Sequence, residues 1–222
     1  MKIIGINQNS GANFEYQMTD DDLLWSLKMI YGESGNDLND AACVLWCMVN
    51  RFVLVKDQYK GKSFEYLIRS YSQPINPRWY RDGVFGIQYK GKESATEDKF
   101  KRREQILNMK KEDFPQNLQE LIQNWSLGKI PNPIPKAVHF AVPSAASKSK
   151  GTPGLIERGF ELIYDKRNRG TNCTDHFGNV FYATLPSTNW PANKVQIHAE
   201  MNVVAQDSTI QHVKDVIHDL IK

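Results

Sequence analysis

Cysteine is scarce in this chain, and long apolar runs are missing altogether. Three cysteines among 222 residues make an odd number, which argues against a disulfide framework. Cys43 and Cys47 lie one helical turn apart in an apolar run, as buried small hydrophobes do, and Cys173 stands alone in "GTNCTDHFG". There is no CxxC pair, and none of the five histidines falls in an HExxH pattern, so neither a metal nor any other cofactor is expected. No stretch approaches the roughly 20 apolar residues of a membrane span. The opening "MKIIGINQNSGANFEYQ" is too briefly apolar for a secretory signal, so the chain is expected to be made as a soluble cytoplasmic product. Charge of one sign is also lacking. A net charge of +3 falls well short of the basic footprint of a nucleic-acid binder, and nucleic acid is not an expected partner.

Hydrophobic residues at 41% and charged residues at 24% describe an ordinary globular chain, read here as one domain spanning residues 1–222. "MTDDDLLWSLKMIY" predicts a helix capped by Thr19, with Asp20, Asp21 and Asp22 at the positive end of its dipole. Gly32 and Gly35 bracket Glu33 and are expected to end that helix near Tyr31. "AACVLWCMVNRF" is apolar nearly all round and predicts a central buried helix, which Asn50 and Arg51 return to polar surroundings. Trp25, Trp46 and Trp125 sit on apolar helical faces and read as core.

Further helices are expected in "KSFEYLIRSY", capped by Ser63, in the charged "KESATEDKFKRREQILNMKKED", and in "FPQNLQELIQNWSLGKIP" between Pro115 and Gly128. The pattern then changes to short β-branched and aromatic runs, "KAVHFAV", "FELIYD" and "NVFYATL". They predict a small β-hairpin or sheet in the C-terminal half of a mainly helical α+β fold. The core is placed at about residues 18–186, and residues 187–222 form an extension ending in an amphipathic helix after Asp207.

The chemistry centres on "MIYGESGNDLND". Glu33 at a helix end, beside an apolar helix, is placed as a proton donor would be. Glycan cleavage needs a carboxylic acid that is still protonated near neutral pH, whereas an ordinary glutamate titrates near ~4.3. Apolar walls and a helix C-terminus both oppose ionisation. Asp37 and Asp40 have a simpler use as a helix cap or first-turn acids. Cys173, Asp175 and His176 lie too close together in one turn to form a Cys-His hydrolase site.

Four segments in order carry a family resemblance: "IYGESGNDLNDAACVLWCMVNRF", "YSQPINPRW", "NWSLGKIPNPIPKAVHFAVP" and "HFGNVFYA". Together they resemble the SleB-type cell-wall hydrolases over residues 20–185. Glu33 matches that family's catalytic glutamate and Asn50-Arg51 its closing pair. The loop after Glu33 is one residue shorter than the family pattern and lacks its second glutamate. Glu33-Ser34 also resembles the Glu-Ser pair of soluble and goose-type lytic transglycosylases. The resemblance implies a lysozyme-like helical body and peptidoglycan glycan strands as substrate. It implies cleavage between N-acetylmuramic acid and N-acetylglucosamine, with Glu33 as the single general acid/base. Ser34, Tyr71, Ser72, Gln73, Trp79, His139 and Phe140 are the candidate substrate-binding residues, since aromatic and amide side chains suit sugar faces and hydroxyl rims. A hydrolytic muramidase with a second carboxylate, or a non-catalytic wall-binding module of a phage particle or secretion apparatus, are the alternatives. The absent signal implies delivery to the wall by a phage or secretion system, with a delivery or immunity protein as partner.

Overall fold

The computed structural model describes residues 2–7, 12–55, 61–72, 74–75, 93–135, 137–141, 160–164, 179–184 and 197–202. It is mainly helical, with five helices among these residues: α1 (Asp20–Ser34), α2 (Leu38–Val55), α3 (Phe64–Tyr71), α4 (Glu93–Asn108) and α5 (Gln116–Ser126). Two antiparallel three-stranded sheets accompany them. Strands β1 (Lys2–Asn7), β2 (Ala12–Gln17) and β6 (Ile197–Asn202) form one, in the order β2-β1-β6. Strands β3 (His139–Ala141), β4 (Phe160–Tyr164) and β5 (Val180–Thr184) form the other, in the order β3-β5-β4.

The second sheet lies where the C-terminal β signals placed it. The first is an addition to the expected fold: the sequence reading assigns no element to the N-terminal segment, and it forms two antiparallel strands. Its register with β6, Lys2 opposite Asn202 and Asn7 opposite Ile197, also brings part of the expected extension into a sheet. The helix expected after Asp207 lies outside the described residues.

α2 is the central element, with Cys43 to Phe52 all buried. Around it pack Leu27, Met29 and Ile30 of α1, Leu67 and Ile68 of α3, and Leu118, Ile122 and Trp125 of α5. The N-terminal sheet lies on the far end of α2. A Cβ on Gly5 would strike the Val53 side chain, so only glycine lets β1 approach that closely. Tyr16 of β2 meets Phe52 edge-on at 4.9 Å, and Phe52 meets Phe64 at 5.2 Å. Trp46 and Trp125 are in the core, whereas Trp25 is only partly buried, with Arg69 and Lys28 over its ring at 4.4 and 4.6 Å.

Cys43 is disulfide-bonded, contrary to its reading as an unlinked hydrophobe, and Cys47 is a buried free thiol.

Asp22 organises the start of α1. It forms the capping box with Thr19, and its carboxylate is fully buried. Oδ2 accepts from the Tyr16 hydroxyl at 2.8 Å, and Oδ1 accepts from the Glu65 backbone N–H at 2.7 Å. The same tyrosine oxygen accepts from the Phe64 N–H at 3.1 Å. One carboxylate therefore caps α1, supports the N-terminus of α3 and ties both to β2. Burial and the neighbouring Asp22 carboxylate push the Tyr16 phenol up to about 12, so it stays a donor.

Candidate active site

α1 does not stop at Tyr31. It runs through Glu33 and Ser34 and ends at Gly35, whose φ of 62° lies in the left-handed region. Gly32, expected to break the helix, sits inside it for another reason. A Cβ there would come within 2.6 Å of the Pro74 ring, so glycine lets the turn after α3 press onto α1. That turn is fixed by the Ile75 N–H donating to the Ser72 carbonyl at 3.2 Å. It delivers the fully buried Ser72 hydroxyl to Glu33 Oε1, which accepts from it at 2.8 Å. Glu33 itself is half-buried.

Beside Ser72, the Tyr71 ring lies 3.5 Å from the Arg51 guanidinium carbon. Arg51 Nη1 donates to the Val138 carbonyl and to His139 Nδ1, each at 3.3 Å. Arginine has only donors, so Nδ1 accepts and the imidazole proton sits on Nε2. Asn50 Nδ2 donates to the Ile134 and Ala137 carbonyls at 3.0 and 2.9 Å, and its Oδ1 accepts from Asn132 Nδ2 at 2.9 Å. Asn50 and Arg51 therefore do not return α2 to polar surroundings. Both are buried within the helix and lock the 132–139 segment, with β3 beyond it, onto α2.

Of the candidate site residues, Ser72 is on Glu33, Ser34 is next to it in the last turn of α1, and Tyr71 and His139 meet at Arg51. Phe140 follows on β3, its ring 6.1 Å from that of Phe181. Gln73 and Trp79 lie outside the described residues. An open depression of about 590 Å³ along Phe114, Gln116, Gln119 and Gln123 is lined by none of these residues. Among the described residues no three His, Cys, Asp or Glu side chains gather as a metal site would require, and no helix is long and apolar enough to cross a membrane.

Asp37 is the N-cap of α2, accepting from the Asn39 and Asp40 N–H groups at 3.0 Å each. Asp40 is more than a first-turn acid. It is 1% exposed, and its Oδ2 accepts from Asn179 Nδ2 at 2.8 Å, just ahead of β5. Burial pushes its carboxyl up to about 6, with the Asp37 charge adding to the rise and the Ser34 and Asn179 side chains opposing it. No local pattern distinguishes this aspartate from its exposed neighbours. The one hint was an acid three residues into an otherwise apolar helix.

A raised pKa means that the folded chain holds the Asp40 proton more tightly than the unfolded chain does. The resulting stabilisation is fully present below about pH 4 and is lost as pH rises through about 6. The stability difference between wild type and Asp40→Asn should shift in favour of the variant by up to about 3 kcal/mol between pH 4 and pH 7. Urea titrations at the two pH values read this directly, and a pH-independent difference would show that Asp40 titrates normally.

No family model, curated protein or solved structure matches this chain.

Proposed function

We propose that the chain is a peptidoglycan-cleaving enzyme of the lytic transglycosylase type, built on a lysozyme-like helical body with Glu33 as its single general acid/base. The hydrogen bond from Ser72 to Glu33 carries this reading. It joins two segments far apart in sequence, and these are the ones that resemble the acid-bearing helix and the facing aromatic-serine wall of the SleB-type hydrolases.

The chemistry follows from the position of the carboxyl. In the last turn of α1, Glu33 lies among helix-end carbonyls, which favour a neutral acid over an anion. Ser72, donating to Oε1, holds the orientation of the carboxyl that carries the transferable proton. Glu33 gives that proton to the bridging glycosidic oxygen, and the bond from the muramic acid C1 to that oxygen breaks. The substrate's N-acetyl carbonyl supports the positive charge left on the sugar. The Glu33 carboxylate then takes the proton of the 6-hydroxyl as O6 bonds to C1. A 1,6-anhydro sugar results, and no water enters.

A hydrolase would need a second carboxylate able to hold a water. Asp40 is 1% exposed and Asp37 is committed to capping α2, so neither suits that task. Tyr71, His139 and Phe140, with Gln73 and Trp79, are the residues proposed to line the glycan. The enzyme would meet its substrate after delivery to the wall by a phage or secretion system.

Fragments released from purified peptidoglycan should carry anhydromuramic ends, each lighter than a reducing end by one water. Mass spectrometry of the digest separates the outcomes. Reducing muramic acid ends would mean a muramidase, and reducing glucosamine ends a different scissile bond. A protein that releases nothing and leaves turbidity unchanged would be a binding module.

A further inference from the structure

We propose that Asp40 is a positioning residue for Glu33, its buried carboxylate anchoring the last turn of α1 through the Ser34 hydroxyl and tying that turn to the β3-β5-β4 sheet through Asn179. The proposal rests on the reading of Glu33 as the reacting acid. A simple helix-start role does not require the arrangement around Asp40. A first-turn acid serves the dipole from solvent, whereas Asp40 is sealed from it and receives the Asn179 amide from another layer of the fold.

Ser34 is the second observation. Its Oγ is buried and completes no hydrogen bond in this conformation. Yet it lies near enough to Asp40 to favour the ionised carboxylate. A buried hydroxyl without a full partner is costly, and it is satisfied by a small movement toward the carboxylate. Ser34 is bonded directly to Glu33, so that movement turns the end of α1 and moves the Glu33 carboxyl with it. Gly35, which follows at positive φ, ends the helix there and leaves the last turn free of a continuing one. The Asp37 charge, on the cap of the same helix, acts on Asp40, and Asn179 and Ser34 face it from the sheet and from α1.

The test uses the full chain in four forms: wild type, Asp40→Asn, Ser34→Ala and the double variant. Digestion of purified peptidoglycan is followed from pH 4 to 8, and the Glu33 carboxyl carbon is followed by NMR over the same range. Asp40→Asn is expected to lower kcat roughly tenfold to a hundredfold with little change in KM, as a misplaced reacting group does. It should also remove a limb of the pH profile between pH 5 and 7. Ser34→Ala should lower kcat in the same way, and the double variant should be no worse than the weaker single one. The wild-type Glu33 resonance should show a second inflection where Asp40 titrates, absent in Asp40→Asn. Superimposable Glu33 titrations, or losses in kcat that multiply in the double variant, would overturn the proposal. If Asp40→Asn does not fold, Ser34→Ala decides, since it removes no buried charge. A wild type that digests nothing would overturn the enzymatic reading alone, while the NMR titration still settles whether Asp40 governs Glu33.

Discussion

Glu33→Gln should leave a folded protein whose cleavage of peptidoglycan falls roughly 10²- to 10⁴-fold, the range attached to loss of a general acid. The amide matches the carboxyl in size, and its oxygen can still accept from Ser72, so the contact between α1 and the turn after α3 survives. What disappears is the proton for the leaving oxygen and the base that recovers one from the 6-hydroxyl. Release of soluble muropeptides under identical conditions gives the ratio, and circular dichroism confirms the fold. Digestion by the glutamine variant at near the wild-type rate would remove Glu33 from the mechanism, and the transglycosylase reading with it.

Asp22→Ala should produce the largest loss of stability of any single change outside the apolar core, about 4 kcal/mol. The loss combines a helix cap, about 1 kcal/mol, with two donors left partly buried and unsatisfied, the Tyr16 hydroxyl and the Glu65 N–H, at about 1–2 kcal/mol each. In a chain of this length that corresponds to a fall in melting temperature of about 10 °C. Asp20 and Asp21, exposed on the same first turn, provide the control. Replacing either with alanine should change stability by no more than about 0.5 kcal/mol. If the three variants melt together, the carboxylate of Asp22 does not hold α1, α3 and β2 together.

These three aspartates show which parts of the fold could be read from the sequence. The start of α1 was legible because Thr19 and its cap partner lie within one turn of each other. That Asp22 alone is buried was not, since Tyr16 and Glu65 reach it from other elements. Gly32 was misread for the same kind of reason. Its helix propensity is a local quantity and argues for a break, but the Pro74 ring that requires a glycine lies on another segment. Asn50 and Arg51 looked like a polar end to α2 because the carbonyls they hold, from Ile134 to Val138, are distant in sequence. Glu33 stands out in the sequence as an acid framed by glycines between two apolar helices. Asp40 did not, because Asn179 is its partner. The N-terminal hairpin was overlooked because its apolar residues alternate too briefly to register without β6 beside them.

The pairing of β1 with β6 also bears on the order of events during synthesis. β1 and β2 can zip together within microseconds of emerging, as hairpins do. The other edge of β1 must wait until residue 202 has left the ribosome before Lys2 can meet Asn202. Closing so long a loop adds little to the equilibrium cost, because the entropy grows only with the logarithm of length. The delay is kinetic. Until then the nascent protein carries an open strand edge, the kind of surface that pairs with another chain or recruits a chaperone.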